Sequence, residues 1–147
     1  MKKRSDIYSK KRRSEIMSLV RSKNTKPEIQ IRSELHRLGY RFRIHRKGLP
    51  GYPDIVLSKY RSAIFVHGCF WHQHEGCKKA TIPKTNHEFW LKKLQENVIR
   101  DRKNVAKLKE SGWNVVVVWE CEIKKDVEAV IKMIESRLKS EEQVIIA

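Results

Sequence analysis

Acidic residues are scarce in this chain. Seventeen Asp+Glu stand against 33 Lys+Arg, which leaves a formal net charge of +16 and a pI near 10.0. So positive a field favours a polyanionic partner, nucleic acid first, because phosphate contacts draw on it. An RNA-binding protein or a binder of acidic membranes would share the requirement. Long hydrophobic runs are missing as well. None approaches the ~18 apolar residues of a membrane span, and no apolar segment follows the basic N-terminus as a secretory signal would require. Cysteine is sparse and odd in number, three in all. That argues against a disulfide framework and for thiols in a reducing cytoplasm, available as metal ligands. With no linker and no internal repeat, 147 residues read most simply as one domain long enough for a real core.

The charge that is present is unevenly spread. Residues 1–46 hold 15 of the Lys+Arg and only 4 of the Asp+Glu, a net of +11. Residues 1–13 have no periodicity and read as a basic arm ahead of a domain over 14–142, with 143–147 as a short tail. Ile16, Met17, Leu19 and Val20 suffice for a short helix. Thr25-Lys26-Pro27-Glu28 is a helix start, with Thr25 as N-cap and Glu28 placed for a capping box. Ile31, Leu35 and Leu38 then recur at helical spacing before Gly39. Arg41–His45 alternates as a half-buried strand, Asp54–Leu57 is a second and Ala63–His67 a third. Asn86 is placed to cap a long helix through Trp90, Leu94, Val98, Val105 and Leu108. Trp113–Trp119 is nearly all apolar, the pattern of a strand covered on both faces. Val127 to Leu138 marks a last helix. The order α-α-β-β-β-α-β-α predicts an α/β fold, a mixed sheet flanked by helices, with the first strands antiparallel and the third and fourth parallel.

The chemistry concentrates after the third strand. His67 to Cys77 packs three His, two Cys and two large aromatics into eleven residues. Cys69, His74 and Cys77 with Cys121 form a Cys₃His set suited to tetrahedral zinc; the bland alternative is buried cysteines and a packed histidine. Asp54 is a hard oxygen ligand suited to Mg²⁺, or else a turn carboxylate. His72, between ligand candidates, is placed for a general base at neutral pH. His67 is a second ligand or a supporting group. Phe70 and Trp71 lie in a polar loop of a very basic protein, where stacking on bases is the natural use; Trp90, in a helix, is as well explained by packing.

These residues form a recognisable whole. Phe65–Cys77 (F-V-H-G-C-F-W-H-Q-H-E-G-C) is preceded by Arg21–Glu28 (R-S-K-N-T-K-P-E) and Leu49–Asp54 (L-P-G-Y-P-D). It is followed by Glu88–Leu91, Asn97–Arg102 (N-V-I-R-D-R) and Gly112–Cys121 (G-W-N-V-V-V-V-W-E-C). Together they resemble the very short patch repair (Vsr) DNA mismatch endonucleases over roughly residues 12–125. The resemblance implies a restriction-endonuclease-like fold and a nick 5′ of the thymine in a T·G mismatch left by 5-methylcytosine deamination. It makes Asp54 the Mg²⁺ ligand, joined by the backbone carbonyl of Val66. His72 becomes the catalytic base, with Asp101 as the carboxylate behind it, and His67 and Glu28 take further active-site positions. Cys69, His74, Cys77 and Cys121 become the structural zinc ligands. Phe70, Trp71 and Trp90 become a wedge entering the duplex from the major groove, and Met17 one from the minor groove. Implied partners are mismatched double-stranded DNA and mismatch-repair proteins, for a monomer in the bacterial cytoplasm, held on the nucleoid through DNA. Val66 replaces a family Thr, which a backbone contact tolerates. The His74–Cys77 interval is one residue longer. The acidic-x-Lys pair of restriction nucleases is absent from Phe65-Val66-His67, so a histidine must act as base.

Overall fold

The computed structural model of the protein describes residues 25–146, with side chains described through Lys139. The basic arm, the helix expected near Met17 and Met17 itself lie outside the described residues. The elements in order are α1 (Lys26–Arg37), β1 (Arg43–Ile44), β2 (Ile55–Leu57), β3 (Ser62–His67), α2 (His87–Glu110), β4 (Asn114–Trp119), α3 (Glu120–Lys125) and α4 (Val127–Ile146). Short 3₁₀ turns at Ser58–Tyr60 and Lys78–Ala80 complete them. The four strands form one sheet in the order β1-β2-β3-β4. β1 and β2 pair antiparallel, as do β2 and β3, whereas β3 and β4 run parallel from Ser62↔Asn114 to His67↔Trp119. α2 makes the crossover that a parallel pair requires.

Period-two alternation divides the strands between two cores. Ile64, Val116 and Val118 face α1 and α4, packing with Ile31, Leu35, Ile131, Ile134 and Leu138. Ala63, Phe65 and Val115 face the other way, against Leu108 of α2. Helices on both faces account for the unbroken apolar run in β4. Ile64 is wholly buried, so truncation to Ala would cost about 2–5 kcal/mol through lost burial and the cavity left behind.

Several expectations shift. The first strand shrinks to Arg43–Ile44, both exposed, because it lies at the sheet's edge. Leu38 is the C-cap of α1, 41% exposed, and packs in no core. Gly39 follows it at φ 92, the left-handed stop that glycine takes without strain. Thr25 does cap α1, accepting from the Glu28 N–H at 3.4 Å. Glu28's carboxylate, however, is drawn into the interior instead of closing a capping box. Asn86 occupies the N-cap of α2 in a left-handed conformation (φ 54) and makes no side-chain cap bond. Cys121, read from the sequence as following on the end of the last strand, sits in the first turn of α3. α4 runs to Ile146, through residues read as tail.

Candidate active site

β3 is the shelf on which the site is built. His67 shares the α2 face with Ala63 and Phe65, and the chain then turns sharply. His72 N–H donates to the Gly68 carbonyl at 3.1 Å and His74 N–H to the Cys69 carbonyl at 2.9 Å. This compact turn folds His72 back over His67, ring on ring at 3.8 Å and only 5° from parallel. α2 holds the loop from outside. Asn97, buried, donates through Nδ2 to the Trp71 carbonyl at 3.1 Å, and Arg100 donates to Asn97 Oδ1 at 2.7 Å. One helical turn on from Asn97, Asp101 Oδ2 meets His72 Nδ1 at 2.6 Å. That contact places a proton on Nδ1, so in the neutral ring Nε2 is the acceptor, and His72 lines the cleft.

His67 is different in kind. Burial, with the neighbouring His72 adding to it, drives its pKa down to about 3, so it stays neutral at any working pH. Its Nδ1 is buried and has no hydrogen-bond partner among the described residues.

Asp54 precedes β2, and its Oδ2 accepts from the Val66 N–H at 2.7 Å. It lies with Glu28 and His45 in a cluster whose ligand atoms fall within 4.8 Å of one another. His45 Nε2 is 2.8 Å from Glu28 Oε2, and Arg32 Nη1 is 3.5 Å from the same oxygen. Burial pushes the Asp54 carboxyl up to about 7; the Val66 N–H opposes this and the adjacent Glu28 adds to it. A buried and a half-buried carboxylate at this spacing suit a shared hard cation, which would let both stay ionised.

Beyond His67 lies a third cluster. Cys69, His74, Cys77 and Cys121 also bring their ligand atoms within 4.8 Å. His74 Nδ1 is 3.3 Å from Cys121 Sγ and 3.7 Å from Cys69 Sγ. The longer His74–Cys77 interval closes as a turn, the Cys77 N–H on the His74 carbonyl at 3.2 Å, with Gly76 at φ 75. Burial pushes the Cys69 thiol up to about 12, whereas the Lys79 backbone N–H brings Cys77 below its usual range. A thiol so shielded ionises only with a cation beside it, so three sulfurs and an imidazole form a donor set suited to a closed metal site. Trp119 separates this cluster from the histidine stack: its ring lies flat on His74 at 4.2 Å and edge-on to His67 at 5.1 Å.

Asp54, Glu28, His67, His72 and Asp101 open onto one cleft of about 1120 Å³. Phe70 and Trp71 stand at its rim, and Trp90 joins them with ring centroids 5.7 and 5.8 Å away. Phe89, 62% exposed, extends the aromatic group. Four participants escape the sequence reading: His45, Asn97, Phe89 and Trp119. Asn97 carries a usable signal, a polar residue on the apolar face of a helix. His45 carries none, since it reads as the polar end of an alternating strand.

A family model described as DNA mismatch endonuclease Vsr matches residues 5–79. The type II nicking enzyme V.XorIIP of Xanthomonas oryzae pv. oryzae is 52% identical over 118 residues, covering 80% of this chain and 86% of that protein. The type II nicking enzyme V.NmeAIP of Neisseria meningitidis is 49% identical over 119 residues, 81% of this chain and 84% of that one. The DNA mismatch endonuclease Vsr of Escherichia coli is 43% identical over 119 residues, 81% of this chain and 76% of that one.

Proposed function

This chain belongs to the Vsr family of DNA mismatch endonucleases, and from that premise we propose that it nicks one strand of duplex DNA 5′ of the thymine in a T·G mismatch. The nick would open very short patch repair of deaminated 5-methylcytosine. The observation that carries this reading is the His72–Asp101 pair at 2.6 Å, facing the same cleft as Asp54 and Glu28. Phosphodiester hydrolysis requires a base for the attacking water and relief of phosphate charge. His72 takes the water's proton on Nε2. Asp101 holds the ring in the productive tautomer and stabilises the imidazolium that results. His67, stacked alongside and neutral, adds no second positive charge to oppose that transfer.

Asp54 and the Val66 backbone carbonyl would hold Mg²⁺, with Glu28 close by; the ion supplies charge neutralisation at the phosphate and at the departing oxygen. Cys69, His74, Cys77 and Cys121 would hold one structural zinc, closed to water and pinning the loop that carries His72. Phe70, Trp71 and Trp90 wedge into the duplex beside the mismatch, where stacking is weak and opening costs less than at a paired step. Met17 is assigned to the opposite groove by the family pattern alone. The basic N-terminal segment adds phosphate contacts, so affinity falls steeply with salt. The protein acts as a monomer in the bacterial cytoplasm and hands its product to mismatch-repair proteins.

The test is a nicking assay on end-labelled T·G and matched T·A duplexes, with Mg²⁺ and with EDTA, for wild type and Asp54→Ala. A Mg²⁺-dependent single-strand nick on T·G alone, lost in Asp54→Ala, is expected. Double-strand cuts on the matched duplex would make the protein a site-specific restriction nuclease instead, and binding without any cut would remove the catalytic reading.

A further inference from the structure

His45 touches both acids of the oxygen cluster, by different routes. Its imidazole Nε2 lies 2.8 Å from Glu28 Oε2, with the two side chains only 10% and 3% exposed. Its backbone N–H donates to the Asp54 carbonyl at 3.2 Å. Its backbone adopts φ 49, a left-handed conformation that residues with a Cβ seldom occupy. It does so just past a two-residue edge strand whose own side chains face solvent. The left-handed turn is thus where the chain stops pointing outward and sends an imidazole into the interior. A carboxylate as buried as Glu28 requires close polar partners, and His45 at 2.8 Å is nearer than Arg32 at 3.5 Å.

Resting on the reading of Asp54 and Glu28 as the acids of a divalent-cation site, we propose that His45 is a positioning residue for that site: its Nε2 holds the Glu28 carboxylate in place beside Asp54, while its backbone N–H ties down the Asp54 main chain just before β2. It binds neither DNA nor the reacting phosphate. A hydrogen bond that orients a metal-binding carboxylate shows up in cation affinity, whereas a merely structural ion pair shows up in stability alone.

The experiment uses the full-length, zinc-loaded protein and the variants His45→Ala, His45→Gln, His45→Asn and Asp54→Ala. The glutamine amide nitrogen reaches about as far as Nε2, whereas the asparagine amide reaches only as far as Nδ1. Mn²⁺ binding is measured by loss of the free-ion electron paramagnetic resonance signal. Alongside it are measured the Mg²⁺ dependence of nicking, T·G duplex affinity in EDTA and thermal unfolding. His45→Ala is expected to weaken Mn²⁺ binding and raise the Mg²⁺ needed for half-maximal nicking by about 10- to 100-fold. Duplex affinity in EDTA should be unchanged. Glutamine should restore both cation responses and asparagine should not. Should His45→Ala fail to fold, the contrast between glutamine and asparagine decides. The inference is overturned by wild-type cation responses in His45→Ala or His45→Asn, or by a His45→Gln protein that is unfolded or as impaired as alanine. Asp54→Ala separates the two levels. If it keeps wild-type Mn²⁺ binding, the cation site itself is misassigned; if it loses binding while His45→Ala does not, only the role of His45 fails.

Discussion

Two clusters flank the end of β3 and are built on opposite plans. The sulfur cluster draws three of its four donors from the nine residues Cys69–Cys77, and a single distant residue, Cys121, closes it. The oxygen cluster draws its two carboxylates, Glu28 and Asp54, and the imidazole of His45 beside Glu28 from three separate places: the first turn of α1, the residue before β2 and the residue after β1. The first uses soft donors packed behind Trp119; the second keeps hard donors at the wall of an open cleft. The difference suits a metal that stays for good in one place and a metal that must meet a substrate in the other.

The largest effect that would sharpen this contrast lies between the two, at His72. His72→Ala should lower the single-turnover nicking rate by about 10²–10⁴-fold, the usual worth of a general base. Binding to a T·G duplex should survive, as a gel-shift titration in EDTA would register. Next comes Cys121→Ser, which should abolish stoichiometric zinc by elemental analysis. It should also reduce stability by about 4 kcal/mol, the linkage value for free zinc a thousandfold above its dissociation constant. Asp54→Ala should leave zinc content and thermal midpoint near wild type while abolishing Mg²⁺-dependent cutting. If the two variants gave the same phenotype, the clusters would be one functional unit and the comparison would fail. Trp71→Ala should cost about 1–3 kcal/mol of preference for T·G over T·A, the worth of one base–aromatic stack. It should do so without moving the Mg²⁺ dependence. The smallest effect is expected at Val66→Thr, within about 0.5 kcal/mol in activity and stability, because the contact with Asp54 is made by the backbone.

The same contrast explains what could be read in advance. The sulfur cluster was legible because its ligands are rare residue types crowded into one loop, and because a strand ending at Trp119 leads directly to Cys121. Strand directions were legible too: a helical segment between two apolar strands permits a parallel pair, and short connections favour antiparallel ones. His45 was invisible because its role depends on a left-handed backbone angle, which no alternation pattern encodes. Glu28 was misread locally for a related reason. Its spacing from Thr25 satisfies a capping box, and only the contact with His45, just past β1, shows that its carboxylate is engaged elsewhere. Asp101 was reached through the family pattern, since on α2 alone it is one carboxylate among many charged residues. Phe89 and Trp119 matter through neighbours that only the fold supplies.

The parallel register of β3 and β4 has a further consequence. Because both strands travel the same way, their chains leave the sheet at the same rim, His67 beside Trp119. Had β4 been reversed, Trp119 would abut Ser62, five steps and roughly 16 Å away at the ordinary rise of a strand. The third sulfur, that of Cys121, would then be delivered to the wrong end of the molecule. The direction in which one strand is laid down therefore decides whether this loop can be fastened at all.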